Sequence, residues 1–421
     1  MSSNKTYEKE LAFQAERRRA TIEFIKSVSD LYYDKSIELV LFRNQLTDRN
    51  VSQILSLHEY AGEFVQKPIS IFDSVDIAKA IKFLLLPPAK IDIGKLTYEY
   101  QLEKKKYSNA LAFVSNKLKN AYKKDNISPK DVVLYGFGRI GRLVARELMA
   151  RTGQGSQLRL RAIVTRGEIN QTILEKRASL LRNDSVHGDF PGTVSIDVTN
   201  QALLINGTTV YIISSNNPED IDYTKYGIAN ALVIDNTGAY RDEKGLGRHL
   251  LAQGIDKVLL TAPGKGVPNI VHGVNQLDYD PDKVSIFSAA SCTTNAITPV
   301  LKAVEDSFGV KSGHIETIHA YTNDQNLLDN FHKKDRRGRS AAINMVITET
   351  GAAKAVSKVI PELEGKLTGS AVRVPTPNGS LAVMSLTLKK ETSVEEIQDL
   401  VKAAALQGPL RNQINYSIEN E

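Results

Sequence analysis

In residues 1–127, apolar positions recur three and four residues apart, which is the spacing of helices that bury one face. Ile25, Val28 and Tyr32 follow this spacing with charged residues between them. Helices are therefore predicted over about 7–45, over 50–65, from near Ser74 as the N-cap to Pro87, and over 96–124. An all-α bundle is the expected packing of these helices, so we predict an all-α N-terminal extension.

From Pro129 onwards, short apolar runs alternate with helical or loop segments, which is typical of a parallel α/β sheet. A helix is also predicted from near residue 292 to about Phe308, followed by a strand over 313–321. Earlier strands are predicted over 131–135, 158–165, 209–214, 231–235, 257–261 and 284–288.

Charge places a boundary at the same position. Residues 1–130 contain 22 Lys and Arg against 16 Asp and Glu, whereas residues 131–421 contain 32 of each, so the net charge of +6 lies in the first part. The two parts therefore call for separate interpretations, and a chain of 421 residues is long enough for two or three domains.

The basic runs 17–19 and 104–106 could meet a polyanion, although a solvated helix face is the more ordinary interpretation. No aromatic platform or nucleic-acid motif accompanies them, so we expect no nucleic acid partner.

The sequence has no stretch of about 18–20 apolar residues, and its first residues are polar, so we expect a cytoplasmic protein without a membrane partner.

A phosphate cradle is predicted where the pattern changes. The strand at 131–135 is followed by Gly136, Phe137, Gly138, Arg139, Ile140 and Gly141, and then by a helical run. This G-x-G-x-x-G lies between a strand and a helix, as a dinucleotide site requires, although the glycines alone would also suit a plain turn. The first glycine permits the tight turn, the second the approach of a pyrophosphate, and the third close packing of helix and strand.

The next strand should end in an acid that binds a ribose 2′-hydroxyl, but it ends in Thr165, Arg166 and Gly167. Arg166 would suit the 2′-phosphate of NADP, and an arginine that points to solvent is the alternative. Thr237 and Gly238 follow the strand at 231–235, on the edge of the sheet where such folds bind ligands.

Cys292 is the single cysteine, which excludes an intrachain disulfide and a multi-cysteine metal site, and we predict no metal. It follows a strand and opens a helix, whose dipole favours a thiolate. His319 lies in the next predicted strand and is a candidate base for it. A buried thiol and a satisfied strand histidine are the alternatives.

Several ordered blocks resemble phosphorylating glyceraldehyde-3-phosphate dehydrogenase. They are GFGRIG at 136–141, DSVHG at 184–188, TAPGKG at 261–266, SCTTN at 291–295, HAYTNDQ at 319–325, TGAAKAVSKVIPELEGKLTG at 350–369 and RVPTPN at 373–378. The resemblance covers nearly all of 131–421, and with the extension the chain resembles the long-chain bacterial type. It implies an α/β fold with a Rossmann dinucleotide-binding domain over 128–291 and an α+β catalytic domain over 292–421, after an extension over 1–127.

The resemblance also implies roles for single residues. Cys292 would attack the aldehyde and His319 would take its proton, before hydride passes to NAD or NADP and inorganic phosphate cleaves the thioester. Thr322, Asp324 and Arg373 match the substrate-phosphate position, Ser291, Thr293, Thr350 and Gly351 the inorganic-phosphate position, and Arg337 an anion-site arginine. The cofactor set is the glycine motif with Arg166, Thr237, Gly238 and Thr261.

By resemblance, glyceraldehyde 3-phosphate and inorganic phosphate are the expected ligands, and a homotetramer is the expected assembly. The family continues beyond the position of Glu421, so a C-terminally truncated catalytic domain is expected. Erythrose-4-phosphate dehydrogenase, which has the same Cys–His core, remains an alternative activity. A non-catalytic regulatory or binding protein on the same scaffold is the alternative from another class.

Overall fold

A computed structural model describes residues 2–122, 128–348 and 350–417. Their Cα positions divide into two compact units. The described residues of 1–131 and 147–160 form the first unit, and 132–146 with 161–417 form the second. The domain boundaries at 127/128 and 291/292 stay predictions.

Five α-helices and three strands lie wholly within the described residues of the first unit. In chain order they are α1 (Ser2–Lys35), β1 (Ile37–Leu41), β2 (Asn44–Gln45), α2 (Val51–Phe64), α3 (Ile71–Phe83), β3 (Ala89–Asp92), α4 (Ile93–Glu103) and α5 (Ala110–Lys117).

The prediction of an all-α extension is wrong, because β2, β1 and β3 form a small sheet in that order. Helix α1 ends at Lys35, where Ser36 takes a φ of +52° instead of continuing the helix to residue 45. The segment Ile37–Leu41 contains two β-branched residues, Ile37 and Val40, and is largely buried, and β1 pairs in parallel with β3. The helical spacing of apolar residues before Lys35 led to the prediction that the helix continues, although the chain changes there from helix to strand.

Two other helix predictions need correction. Helix α3 begins earlier than predicted, with Ser70 as its N-cap, while Ser74 is buried inside the helix. The helix predicted over 96–124 is interrupted, and Asn109 caps the start of α5 by accepting the N–H of Ala112. Side-chain caps thus divide a segment whose composition favoured one long helix.

The end of α1 holds the segment 150–156 inside the same unit. The hydroxyl of Tyr32 donates to the carbonyl of Ala150 at 2.6 Å and accepts the N–H of Gly153 at 3.1 Å. Ser36 accepts the N–H of Gln154 at 3.2 Å. These bonds satisfy backbone groups that follow the last turn of a helix.

The second unit continues the chain order. Its elements are β4 (Lys130–Tyr135), α6 (Arg139–Ala150), β5 (Leu158–Thr165), α7 (Gln171–Arg182), β6 (Asn183–Asp184), β7 (Gly188–Asp189), β8 (Val194–Asp197), β9 (Ala202–Ile205), β10 (Thr208–Ser214), β11 (Ala231–Asp235), α8 (Glu243–Gly247), β12 (Ile255–Leu260), β13 (Ile286–Ser288), α9 (Cys292–Phe308), β14 (Val310–Ala320), β15 (Val346–Thr348), α10 (Ala352–Val359), β16 (Leu367–Val374), β17 (Leu381–Leu388) and α11 (Val394–Leu406). The bounds of β4, α6 and β5 cross the division between the units.

The larger sheet confirms the expected α/β class. Its strand order is β13-β12-β11-β4-β5-β10-β9-β8, and the six strands from β13 to β10 are parallel. This is the strand order of a dinucleotide-binding sheet. After β4 the chain adds β5 and β10 on one side, and it then crosses over to add β11 on the other side, so the switch in strand order lies between β4 and β11. The carboxyl ends of those two strands are therefore the expected ligand site.

A second sheet carries the remaining chemistry. Its order is β15-β16-β14-β17, with β14 and β16 parallel. One face packs on α9 and α10 through Ile297, Leu301, Ile315 and Val356, all 0–1% exposed. The core thus fixes α9, which begins at Cys292, against β14, which contains His319.

No helix in the described part of the chain is long and apolar enough to cross a membrane.

Candidate active site

Cys292 is the first residue of α9, two residues after a strained turn. Ser291 caps this helix by accepting the N–H of Thr294 at 3.0 Å. Ala290 has a φ of +57°, a left-handed conformation that costs free energy for a residue with a Cβ. The turn therefore presents an exposed thiol at a helix N-terminus, where the dipole favours the thiolate.

Cys292 and His319 are in contact, with Sγ and Nε2 3.4 Å apart. The hydrogen bond to His319 lowers the pKa of Cys292 from 9.0 to about 7, although desolvation acts in the opposite direction. The same hydrogen bond raises the pKa of His319. The thiol is thus poised to ionise near neutral pH, as an activated nucleophile must be.

His319 is oriented by groups at its other nitrogen. Nδ1 lies 2.7 Å from the carbonyl of Ala320, which can only accept, and beside a nitrogen of Arg373, which can only donate, so its two neighbours favour opposite tautomers, while Nε2 faces the thiol. Arg373 donates to the same carbonyl at 2.9 Å, and its Nη1 lies 2.8 Å from Nδ1. Since its charge lowers the pKa of His319, Arg373 opposes formation of an imidazolium.

A second arginine lies close by. Arg337 forms an ion pair with Asp324 and donates from Nη2 to the hydroxyl of Thr348 at 3.0 Å. The hydrogen bond from Arg337 lowers the pKa of Asp324. Burial lowers the pKa of Arg373, and the charge of Arg337 lowers it further, so the two guanidinium groups are close enough to repel each other. Such a pair is suited to bind a multiply charged anion.

The other predicted phosphate ligands lie near helix starts or turns. The backbone carbonyl of Thr322 accepts the N–H of Gln325 at 2.9 Å, in the turn after β14. The hydroxyl of Thr293 lies 3.9 Å from the sulfur of Cys292. Thr350 packs beside β16, and Gly351 precedes α10, where an added Cβ would meet no atom within 4 Å. The hydroxyl of Ser291 is already bonded to Thr294.

The glycine motif forms an open cradle at the end of β4. Gly136 has a φ of +96°, and a Cβ on Gly141 would lie 2.3 Å from the carbonyl oxygen of Gly136. A Cβ on Gly138 would meet nothing within 4 Å, so the backbone there is open to a ligand. Between the glycines, Phe137 is buried, Arg139 begins α6, and Ile140 is 48% exposed. The cradle fits a pyrophosphate at the N-terminus of α6.

Three further cofactor candidates surround the end of β11. Thr237 donates from its backbone N–H (2.8 Å) and its hydroxyl (2.7 Å) to the carboxylate of Asp235. Thr261 donates from its hydroxyl to the carbonyl of Asp235 at 3.0 Å. Gly238 has a φ of +66°, which continues the turn. The loop that contains Thr237 lies beside the cradle, next to the switch in strand order between β4 and β11.

Arg166 is exposed directly after β5. No hydrogen bond or ion pair joins it to another residue in the described ranges. Burial raises the pKa of Tyr135 to about 12, and the charge of Arg166 acts in the opposite direction, so Arg166 lies near the end of β4. Its position beside the cradle suits contact with a ribose 2′-substituent.

Sequence reasoning missed two supporting residues. Asn295 donates to the carbonyls of Ala289 at 2.7 Å and Ser291 at 2.9 Å, which holds the turn before Cys292. Thr348 supports Arg337, because β15 pairs with β16. Asn295 lies in the SCTTN block and could have been noticed there, whereas Thr348 carries no signal of its own. In the described ranges, no group of three or more His, Cys, Asp or Glu residues could hold a metal ion.

Comparison with protein families gives two matches along the second part of the chain. The model described as "Glyceraldehyde 3-phosphate dehydrogenase, NAD binding domain" matches residues 130–243. The model described as "Glyceraldehyde 3-phosphate dehydrogenase, C-terminal domain" matches residues 291–420. The first matched range contains the glycine cradle, and the second contains Cys292 and His319.

Similar curated proteins carry related names. The chain is 49% identical to a "Glyceraldehyde-3-phosphate dehydrogenase-like protein" of Pseudomonas aeruginosa (strain UCBPP-PA14), over 94% of this chain and 87% of that protein. It is 43% identical to "Glyceraldehyde-3-phosphate dehydrogenase 2" of Trichormus variabilis, and 39% identical to a "Glyceraldehyde-3-phosphate dehydrogenase" of Zymomonas mobilis. Each of these two matches covers 68% of this chain and 82% of the length of the relative. The Pseudomonas match therefore also extends into the N-terminal extension.

Proposed function

The chain belongs to the glyceraldehyde-3-phosphate dehydrogenase family, and we propose that it oxidises glyceraldehyde 3-phosphate to 1,3-bisphosphoglycerate, or catalyses the reverse reaction. It is an oxidoreductase of that family, with NAD or NADP as cofactor. The observation that carries the proposal is the contact between Cys292 and His319 beside Arg373.

In the proposed reaction, His319 takes the thiol proton of Cys292 at Nε2, the thiolate adds to the aldehyde carbon, and His319 returns the proton to the oxygen to give a thiohemiacetal. His319 then accepts the hydroxyl proton at Nε2, which allows the carbonyl to reform as a hydride leaves. The nicotinamide ring, when bound, supplies the acceptor for that hydride. An oxygen of inorganic phosphate attacks the resulting thioester, and the Cys292 thiolate is released with the acyl phosphate as product.

Charges support the assignment of anions to this site. Arg373 lies beside His319, and Arg337 lies within electrostatic reach of Arg373, so one phosphate can meet two guanidinium groups. The start of α9 at Ser291 and the start of α10 at Gly351 provide helix N-termini for a second phosphate. A substrate phosphate and an attacking phosphate are the two anions that the reaction needs.

Cofactor preference, assembly and cellular role form the outer part of the proposal. We propose that the chain accepts NADP, because Arg166 replaces an acid at the tip of β5 and is exposed there. By family resemblance, we propose a homotetramer in the cytoplasm that serves glycolysis or gluconeogenesis.

The test is cofactor reduction by the purified full chain. Glyceraldehyde 3-phosphate and inorganic phosphate are supplied with NAD or with NADP, and the absorbance of the reduced cofactor is followed. Phosphate-dependent turnover that disappears in Cys292→Ser supports the proposal. Faster turnover of erythrose 4-phosphate would support the sister dehydrogenase instead. A folded chain that binds NADH yet reduces cofactor with neither aldehyde would support a non-catalytic role.

A further inference from the structure

A buried carboxylate lies below the loop that faces the glycine cradle. Asp235 is the last residue of β11 and is fully buried, at 0% exposed. One of its oxygens, Oδ1, accepts the N–H and the hydroxyl of Thr237. The other, Oδ2, lies 3.0 Å from Nε2 of His249. A carboxylate only accepts hydrogen bonds, so Nε2 of His249 carries the donated proton.

The imidazole of His249 makes its hydrogen bond to this carboxylate. The imidazole is 1% exposed, and its Nδ1 has no hydrogen-bond partner in the described part of the chain. The ring of Tyr135 packs edge-on against it at 4.6 Å between centroids, and that of Tyr240 does so at 6.0 Å. Two aromatic rings therefore fix the direction of the imidazole, and its one polar contact is with Asp235.

The loop above Asp235 is seated on the cradle. The hydroxyl of Thr237 accepts the N–H of Ala239 at 3.1 Å, so this side chain organises the turn at 237–239. Its Cγ2 would lie 2.8 Å from a Cβ added to Gly136, which shows how closely the loop meets the first glycine of the motif. A shift of Thr237 would therefore change the space in which a pyrophosphate is held.

We propose that Asp235 and His249 are a positioning pair for the dinucleotide, acting through Thr237. His249 orients the carboxylate, the carboxylate holds the loop at 236–238, and the loop sets the width of the cradle beside Gly136. This inference rests on the proposed use of NAD or NADP. It assigns a role to two residues that make no contribution to the Cys292 chemistry.

The pair matters because a buried carboxylate is costly when its hydrogen bonds are lost. Without His249, Oδ2 would face apolar surroundings, and the carboxylate would turn toward other donors or draw water into the site. Either change releases Thr237 from its present position. If the loss of this buried, charged hydrogen bond is expressed at the loop, binding of the dinucleotide should weaken roughly tenfold.

Titration with NADH, followed by its fluorescence, tests the proposal directly. The variants are His249→Leu, which removes the donor, and His249→Gln, which retains an amide donor. His314→Gln, an exposed histidine on β14, is the matched control. The full chain is used, and thermal unfolding confirms that each variant is folded.

The expected result is a Kd for NADH that rises about tenfold in His249→Leu, recovers within about threefold of wild type in His249→Gln, and is unchanged in His314→Gln. In turnover, KM for the cofactor should rise while KM for the aldehyde stays constant. An unchanged Kd in folded His249→Leu, or equal weakening by leucine and glutamine, would overturn the proposal. If His249→Leu does not fold, Thr237→Val carries the test, because it removes the hydroxyl that Asp235 holds.

The titration also separates this inference from the proposed reaction. A chain that binds NADH but oxidises neither aldehyde would end the proposed activity and leave the pair testable. Turnover of glyceraldehyde 3-phosphate together with an unchanged cofactor Kd in the His249 variants would support the proposed activity and overturn the proposed role of the pair.

Discussion

His319 and Arg373 are register partners on the parallel strands β14 and β16, and Nη1 of the arginine lies 2.8 Å from Nδ1 of the histidine. The imidazole therefore has a thiol at one nitrogen and a cation at the other. The thiol raises the pKa of His319 and the cation lowers it. One arginine can thus bind a phosphate and also keep the neighbouring base from holding its proton too tightly.

Replacing Arg373 should separate these two effects. In Arg373→Leu, we expect KM for glyceraldehyde 3-phosphate to rise roughly tenfold to a hundredfold, because a charge-assisted contact of about 1.5–3 kcal/mol is lost. KM for the cofactor should stay within about twofold, since the glycine cradle lies on the other sheet. Steady-state kinetics with each substrate varied in turn provides the measurement.

Arg373→Lys is the matched control for that experiment, because it keeps the charge but loses the planar fork. Partial recovery of the aldehyde KM is expected from lysine. The acid limb of the pH–rate profile should move to higher pH in Arg373→Leu, since removal of the nearby cation lets the pKa of His319 rise further. A change in cofactor KM alone would place Arg373 outside the phosphate site.

Alkylation of Cys292 should report the thiol pKa without any assay of turnover. Because the pKa is about 7 and only the thiolate reacts, the rate with iodoacetamide should fall as pH drops below 7 and level off well above it. In His319→Gln, the inflection should move upward toward the ordinary value of 9.0. At pH 7 this shift would slow labelling roughly tenfold to fiftyfold.

Cys292→Ser is the control for labelling, since the chain has no other cysteine. The label should be absent from it at every pH. An inflection near 9 in the wild-type chain, or one that His319→Gln leaves in place, would mean that the 3.4 Å contact does not activate the thiol.

The part of the site that sequence could predict is the part carried by contiguous motifs. The cradle at 136–141 and the helix that opens at Cys292 need only local geometry, and both lie where the pattern placed them. The Asp235–His249 contact joins residues 14 apart through packing on Tyr135, and no local spacing encodes it. The small sheet of the extension was missed for a similar reason, because the pairing of β1 with β3 joins segments about 50 residues apart.

Arg166 should decide the choice between the two cofactors. In Arg166→Ala, we expect KM for NADP to rise about tenfold and KM for NAD to stay within about twofold, since only NADP carries the 2′-phosphate that a guanidinium would bind. Steady-state kinetics with both cofactors makes the measurement, and Arg166→Lys should retain part of the preference. A strong preference for NAD that Arg166→Ala leaves unaltered would contradict the assignment.

His58 should make the extension sensitive to acid. Its Nδ1 donates to the carbonyl of Ile54 and its Nε2 accepts from Ser74, and burial lowers its pKa from 6.5 to about 4. Between these values the unfolded chain binds a proton that the folded chain does not, so stability falls as pH decreases from 6.5 toward 4. The full effect is roughly 3 kcal/mol.

Amide hydrogen exchange in α2 and α3 at pH 7 and pH 5 would measure that loss. The protection factor, which corrects each exchange rate for the intrinsic rate at that pH, should be smaller at pH 5 than at pH 7 in the wild-type chain. The pH-dependent part should shrink in His58→Gln, which cannot titrate, even if exchange is faster overall. Equal pH dependence in the two proteins would assign the effect to other groups.

Tyr32 should stabilise the segment at 150–156, because its hydroxyl satisfies two backbone groups there. Tyr32→Phe removes both the donor to Ala150 and the acceptor for Gly153 while keeping the ring. We expect a loss of about 1–2 kcal/mol, the usual cost of leaving part-buried backbone groups without partners. Hydrogen exchange should accelerate in residues 150–156 first.

Tyr33→Phe is the matched control, since Tyr33 is adjacent on α1 but 51% exposed. It should leave exchange in 150–156 unchanged. If both variants accelerate exchange equally, the effect belongs to α1 as a whole and not to the Tyr32 hydroxyl. If neither does, the carbonyl of Ala150 and the N–H of Gly153 are satisfied by water as well as by tyrosine.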